Sequence, residues 1–190
     1  MANTHVVMPW EQIGERILLD GFRRVLSRRY RMPSGEVADW EILDDGRTVA
    51  VVAVTEDWQV VMVRQFRPGP GHVLIELPGG YVEPDEPIEV AAARELLEET
   101  GFEAASIELV SQSWLAATAT NERYALVARG CRRVAQPTPD ETEFLQVVEL
   151  SMSAFLQHAL SGQMTDVDIA LRGLVRLGVL TSNLEREPLS

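Results

Sequence analysis

Three glutamates, Glu95, Glu98 and Glu99, stand close together in the stretch ARELLEETGF, residues 93–102. On a helix they would share an arc of about 100°. Gly101 follows where a left-handed residue would stop that helix. Val90, Ala93 and Leu97 fall on the opposite side, which predicts that this other face packs and that the glutamates stay out of the core. The placement runs against local rules. A helix C-terminus carries partial negative charge and favours Lys or Arg. Carboxylates three and four residues apart repel one another by a few tenths of a kcal/mol, roughly. Such local violations mark functional sites. A divalent cation reverses the sign of the problem, because hard oxygen ligands gathered in one place suit Mg²⁺ or Mn²⁺. For a bare E-x-x-E-E, the alternative is a solvated acidic helix face.

The wider spacing separates the two readings. Five residues lead from Gly80 to Glu86, and seven more lead to Arg94-Glu95-Leu96-Leu97-Glu98-Glu99-Thr100-Gly101-Phe102. This resembles the complete Nudix box, G-x5-E-x7-R-E-U-x-E-E-x-G-U, where U is bulky and apolar. Seven fixed letters, each at a usage of roughly 7%, match by chance on the order of 10⁻⁸ times per start position. Phe102 departs mildly, standing where aliphatic residues are commoner. The resemblance implies an enzyme that hydrolyses a nucleoside diphosphate linked to another group, with Mg²⁺ or Mn²⁺ as cofactor. It implies Glu95 and Glu99 as the main metal ligands, with Glu98 as a further ligand or a partner of the ligands. The Gly79 carbonyl is also implied as a ligand, and Arg94 as the cation that holds the glutamates by ion pairing. Glu86 is either part of that site or a brace between loop and helix.

Composition sets the surroundings. The chain of 190 residues is long enough for one ordinary domain with a small appendage, and 46% apolar content supplies a core. A formal charge of −12 argues against a sequence-independent grip on nucleic acid, which needs a basic surface. It would also repel a phosphorylated substrate unless cations and local arginines overcame the field. Cys131 is the only cysteine, so neither an internal disulfide nor a cysteine metal cage is expected. No apolar run reaches the length of a membrane span, and the first residues do not read as a signal peptide. The expectation is a soluble cytoplasmic protein.

The elements that must hold the glutamates follow from the hydrophobic pattern. Residues 17–19, 23–31 and 37–43 read as short strands separated by Asp20-Gly21 and Ser34-Gly35. So small a sheet buries little by itself and should pack on the main domain or on a second subunit. The run VAVVAV at 49–54 predicts a central strand, with further strands at 58–66 and 73–77. Pro78-Gly79-Gly80 ends the last of these where the box begins, and the box helix starts near Pro87. Strands are expected at 107–111, 124–127 and 144–149. A helix is expected at 153–160, capped by Ser151 or Ser153, and a last one from Asp166 or Asp168 to about residue 177. Strands interleaved with helices indicate a layered α/β fold. The resemblance sharpens this to the Nudix fold, α/β (α+β), a mixed sheet sandwiched between helices. The expected organisation is an N-terminal β extension at 1–45, which would dimerise, and a Nudix hydrolase domain at 46–190.

The chain is further similar to the ADP-ribose pyrophosphatase branch of that family. The carriers are Val63-Arg64-Gln65-Phe66-Arg67-Pro68, Ile75-Glu76-Leu77-Pro78-Gly79-Gly80, the acidic segment from Asp140 to Glu143 with its following strand, and the N-terminal strands ending in Trp40-Glu41-Ile42. By composition alone the segment at 140–143 could be a solvated loop. The branch implies Glu141 as the catalytic base and Glu143 as a further metal ligand, with the roles open to exchange. It implies a homodimer in which Trp40 stacks on the base and Glu41 partners base N–H groups; a plain interface or core tryptophan is the other reading. An arginine at a strand end offers a planar fork, which makes Arg67 the candidate for a phosphate or distal-sugar contact. Arg64 reads as a structural ion pair. His5, His72 and His158 lack ligand spacing and read as surface or structural. ADP-ribose-preferring members commonly carry a proline about fifteen residues past the box, and here Leu115-Ala116-Ala117-Thr118 stands instead. The substrate class is therefore nucleoside diphosphate sugars, ADP-ribose, GDP-mannose or a relative. The alternatives are a Nudix hydrolase of nucleoside triphosphates or dinucleoside polyphosphates, or a non-catalytic nucleotide-sugar sensor.

Overall fold

The computed structural model describes residues 7–139 and 144–181. They form two compact units. One comprises the chain up to Gly46 together with Trp114–Glu122, and the other the remainder.

The first unit is an antiparallel sheet in the order β1-β2-β3, made of β1 (Glu11–Asp20), β2 (Arg24–Arg31) and β3 (Val37–Asp44). β1 is much longer than its apolar triplet at 17–19 predicts. Its first half is held by cross-strand charge pairs instead, Glu11 with Arg31 and Glu15 with Arg28, each at 2.7 Å. Hydrophobic periodicity could not reveal a strand built that way. The segment Trp114–Glu122, placed in the main domain by the sequence reading, is tied to β3. Leu43 donates to the Thr118 carbonyl and accepts from Thr120 N–H, both at 2.9 Å. Trp10 packs against Trp40 and Tyr30, with ring centroids 5.5 and 6.2 Å apart.

The second unit carries the mixed sheet. Its strands are β4 (Thr48–Thr55), β5 (Gln59–Arg67), β6 (His72–Glu76), β7 (Phe102–Glu103), β8 (Ser106–Trp114), β9 (Glu122–Arg133) and β10 (Leu145–Ser151). The order is β10-β5-β4-β9-β7, with β6 on β5 and β8 on β9. β4 runs parallel to β9 and antiparallel to β5, and the VAVVAV run is central as expected. Both faces of β4 are covered. Ala50, Val52 and Val54 point into one core with Phe155, Ala159 and Leu174, from α2 (Met152–Ser161) and α3 (Val167–Arg176). Val49, Val51 and Ala53 point into the other with Ala91, Ala92 and Leu96 of α1 (Ile88–Thr100). A strand buried on both faces reads as a continuous apolar run, which explains why alternation is missing from its sequence. Each buried valine contributes up to about 1.5–3 kcal/mol. Ser151 caps α2 by accepting from Ala154 N–H.

One expectation about α1 is overturned. Its packed residues are Ala91, Ala92, Leu96, Glu99 and Thr100, while Val90 is 53% exposed and Ala93 lies outside. Alanine and leucine occur nearly all round this helix, so apolar type alone did not single out one face. Glu99 sits in the middle of the buried arc, and the reason is a partner in the neighbouring loop.

Candidate active site

The loop after β6 replaces a strand. β5 pairs with β4 only at Ala53 and Val54. Beyond that point the edge of β4 would be unpaired, and the box loop fills it. Val51 N–H donates to Pro78 O and Val49 N–H to Gly80 O, both at 2.9 Å, and Val82 N–H donates to Arg47 O at 3.0 Å. The carbonyl of Gly79 lies between those two acceptors and outside that ladder. A Cβ at Gly79 would stand 2.1 Å from the Val49 carbonyl oxygen, so only glycine lets the loop approach β4 this closely.

On its other side the loop meets α1. Gly79 N–H donates to Glu99 Oε2 at 2.8 Å, and Glu99 is only 2% exposed. A Cβ at Gly80 would fall 2.7 Å from the Glu95 carboxylate. The two glycines therefore seat two of the expected ligands against loop backbone. Gly101, with φ 73°, ends the helix as expected, its N–H bonded to Leu97 O at 2.8 Å.

Arg94 organises the rest. Its Nε and Nη2 grip both oxygens of Glu86, each at 3.0 Å. Nη1 donates to Glu95 at 2.7 Å and to Glu98 at 3.1 Å, and Nη2 also donates to the Tyr81 carbonyl at 2.9 Å. Glu86 is thus a brace, as its second oxygen also accepts from Glu83 N–H at 3.0 Å. The Arg94 guanidinium holds the Glu86 carboxyl below the usual carboxylate range, and Glu86 chiefly raises Arg94 in turn. The structural ion-pairing role expected for Arg94 is what the geometry shows.

The donor set, carboxylates with a backbone carbonyl, has the hard-oxygen chemistry of a Mg²⁺ or Mn²⁺ site. Among the described residues, no three acidic, histidine or cysteine side chains already converge as a metal cage. Arg94 pairs with both Glu95 and Glu98.

The other expected site residues fall into three groups. Arg67 ends β5 in the same unit, near Glu76 at 3.9 Å. Trp40 and Glu41 belong to the first unit, as consecutive residues of β3. Trp40 lies across from Arg28 and Glu41 across from Ser27, so their side chains leave opposite faces of the sheet. Glu141 and Glu143 lie outside the described residues. Arg64 is exposed and makes no ion pair among the described residues. Of the histidines, His158 bonds the Ile75 carbonyl at 2.7 Å, a structural contact. Cys131 is buried, and burial pushes its thiol pKa up to about 11.

Glu76 was missed as a candidate in its own right. Its carboxylate is fully buried at the end of β6 and accepts from Thr165 N–H at 3.0 Å and Thr165 Oγ1 at 2.9 Å. Burial pushes its pKa up, against the pull of those bonds and of Arg67. The available signal was an acidic residue inside the apolar run VLIEL.

A NUDIX domain model matches residues 44–166, from the end of β3 to the start of α3. The chain belongs to the Nudix family. Members generally need a divalent cation. Among curated relatives, the chain is 34% identical over 134 residues to the "Methanol dehydrogenase activator" of Bacillus methanolicus, covering 67% of this chain and 70% of that protein. It is 30% identical over 141 residues to the "ADP-ribose pyrophosphatase" of Bacillus subtilis, covering 73% and 76%. A solved structure described as an ADP compounds hydrolase superposes with a TM-score of 0.78 at 17% identity, over 93% of this chain and all of that one, which bears on the fold alone. No helix among the described residues is long and apolar enough to cross a membrane.

Proposed function

We propose that this Nudix protein hydrolyses the pyrophosphate bond of a nucleoside diphosphate sugar, ADP-ribose, GDP-mannose or a relative. Water adds to one phosphorus and the bridging P–O bond breaks, giving a nucleoside monophosphate and a sugar phosphate. The observation that carries the reading is the seating of Glu99 and Glu95 against Gly79 and Gly80 with Arg94 beside them. The name of the Bacillus subtilis relative supports the substrate class.

Glu95, Glu98, Glu99, the Gly79 carbonyl and Glu143 would hold Mg²⁺ or Mn²⁺. When bound, the ion would supply charge stabilisation at the diphosphate and a lowered pKa for the attacking water. The chain's own groups do the rest. Gly79 N–H and Arg94 fix the carboxylates, so their positions do not have to be found anew in each turnover. The Arg67 fork binds a phosphate or distal-sugar oxygen. Glu141 accepts the proton of the attacking water, a role open to exchange with Glu143. Trp40 offers a stacking face for the base.

A homodimer through the N-terminal sheet belongs to the same reading. β1 is exposed almost throughout yet carries Ile13, Ile17, Leu18 and Leu19, an apolar set that a second copy would cover.

The test is a panel of ADP-ribose, GDP-mannose, UDP-glucose, diadenosine polyphosphates and nucleoside triphosphates with Mg²⁺ and with Mn²⁺, read by phosphatase-coupled phosphate release. Turnover confined to nucleoside diphosphate sugars is expected. Preference for triphosphates or dinucleotides would replace the substrate class, and binding without phosphate release would make the chain a sensor.

A further inference from the structure

Arg67 and Glu76 lie on the same side of the β5–β6 hairpin. Arg67 faces His72, Val63 faces Glu76, and residues 63, 65 and 67 share one side of β5. Arg67 therefore lies back along the hairpin, bringing Nε to 3.9 Å from Glu76 Oε1. That distance is too long for a hydrogen bond. The Nε atom is itself buried and has no hydrogen-bond partner among the described residues, while the side chain as a whole is 33% exposed. Glu76 is fixed by Thr165, in the turn before α3, through its N–H and its hydroxyl. The charged groups around the carboxylate are Arg67 and Asp166. A buried carboxylate immobilised by two donors, with one cation just beyond bonding distance, is a poor device for stability alone. It is a good device for aiming a guanidinium, because holding Nε inward turns the remaining nitrogens of the fork away from Glu76.

We propose that Glu76 is a positioning residue for Arg67. Its carboxylate draws Nε inward and so presents the outer fork to an anionic oxygen of the substrate's diphosphate or distal sugar. The proposal rests on the reading of Arg67 as a substrate contact.

The experiment measures the Kd of a methylene-bridged, non-hydrolysable ADP-ribose by calorimetry in Mg²⁺. It is run on the parent chain, Glu76→Gln, Arg67→Ala and the double variant, so it does not depend on turnover. Glutamine keeps an oxygen for Thr165 and the same shape, so the hairpin should stay folded. Glu76→Gln is expected to weaken binding about tenfold when Arg67 is present, and less than about twofold when it is alanine. Thr165→Val, which leaves the charge in place, should lower the thermal midpoint more than it lowers affinity. Equal weakening by Glu76→Gln in both backgrounds, or none in either, would overturn the proposal. An analogue that does not bind the parent chain overturns it together with the substrate reading. Intact coupling in a chain that releases no phosphate upholds it and strikes the hydrolase reading alone.

Discussion

The Gly79 amide donates to Glu99 Oε2 at 2.8 Å, so a carboxylate near the C-terminal end of α1 is buried against loop backbone rather than turned to water. That hydrogen bond offsets part of the cost of burying the charge next to the negative end of a helix dipole. Glu99→Gln keeps an acceptor for Gly79 and removes the charge. Turnover is expected to fall on the order of 10²-fold or more, with the thermal midpoint unchanged or raised. Full activity in Glu99→Gln would remove the metal-site assignment.

The two glycines before the helix should fail in different ways. At Gly79 an added methyl meets the fixed backbone of Val49 and Ala50, which cannot yield without opening the β4 edge. Gly79→Ala should cost at least about 3 kcal/mol in urea unfolding. At Gly80 the three nearest atoms the methyl meets all belong to the Glu95 carboxylate, the movable end of a side chain. Gly80→Ala should unfold near the parent midpoint and yet lose most activity, since Glu95 must leave its seat. If the two variants were equally stable, the role given to the loop as a surrogate strand would be wrong.

Arg94 ties acid stability to the site. The folded pKa of Glu86 is held down, first by its bonds to Arg94. The stability it contributes is therefore present above the ordinary glutamate pKa of about 4.3 and lost as pH falls through the lower folded value. Glu76 acts in the opposite sense. Its pKa is raised by burial, so its contribution is present at low pH and declines as pH rises from about 4.3 through the folded value. In urea midpoints measured from pH 7 down to pH 3, Glu86→Gln should show a shallower acid limb than the parent. Glu76→Gln should lose the decline on the rising side. At neutral pH Arg94→Ala should cost about 1–3 kcal/mol, with Glu98 contributing least because solvent screens it. A parent-like acid limb in Glu86→Gln would mean that the Arg94 grip adds nothing to stability.

The candidate site residues were legible because their types are improbable where they stand. Glu95, Glu98 and Glu99 violate helix rules together, and the central strand at β4 is apolar on both faces. The inward face of α1 was misread because Ala91, Ala92 and Ala93 carry no directional signal, and because the partner of Glu99 is a backbone amide twenty residues earlier. The first half of β1 escaped notice because ion pairs, not periodic burial, hold it. Glu76 escaped because its meaning depends on Thr165, at the far end of the chain. In each case the determinant is a long-range polar contact, which local pattern does not encode.

Trp40 and Glu41 are consecutive residues of β3. Trp40 and Glu41 leave opposite faces of β3, and Trp40, 40% exposed, packs against Trp10 in a tilted pair. If Trp40 supplies the stacking platform, Trp40→Ala removes an interaction made equally in ground and transition states. KM should then rise about tenfold with kcat unchanged, since base stacking is worth about 1–3 kcal/mol. Trp10→Ala should give a smaller rise in the same direction, because it frees the Trp40 ring to tilt. Glu41→Gln should leave both constants alone, since its carboxylate faces the other side. Each variant is also weighed by sedimentation. A tryptophan that serves only an interface would shift the oligomer on truncation and leave KM at equal occupancy of the dimer untouched. An unchanged KM in Trp40→Ala would return that residue to packing, and a rise in Glu41→Gln alone would move the base to the opposite face of the sheet.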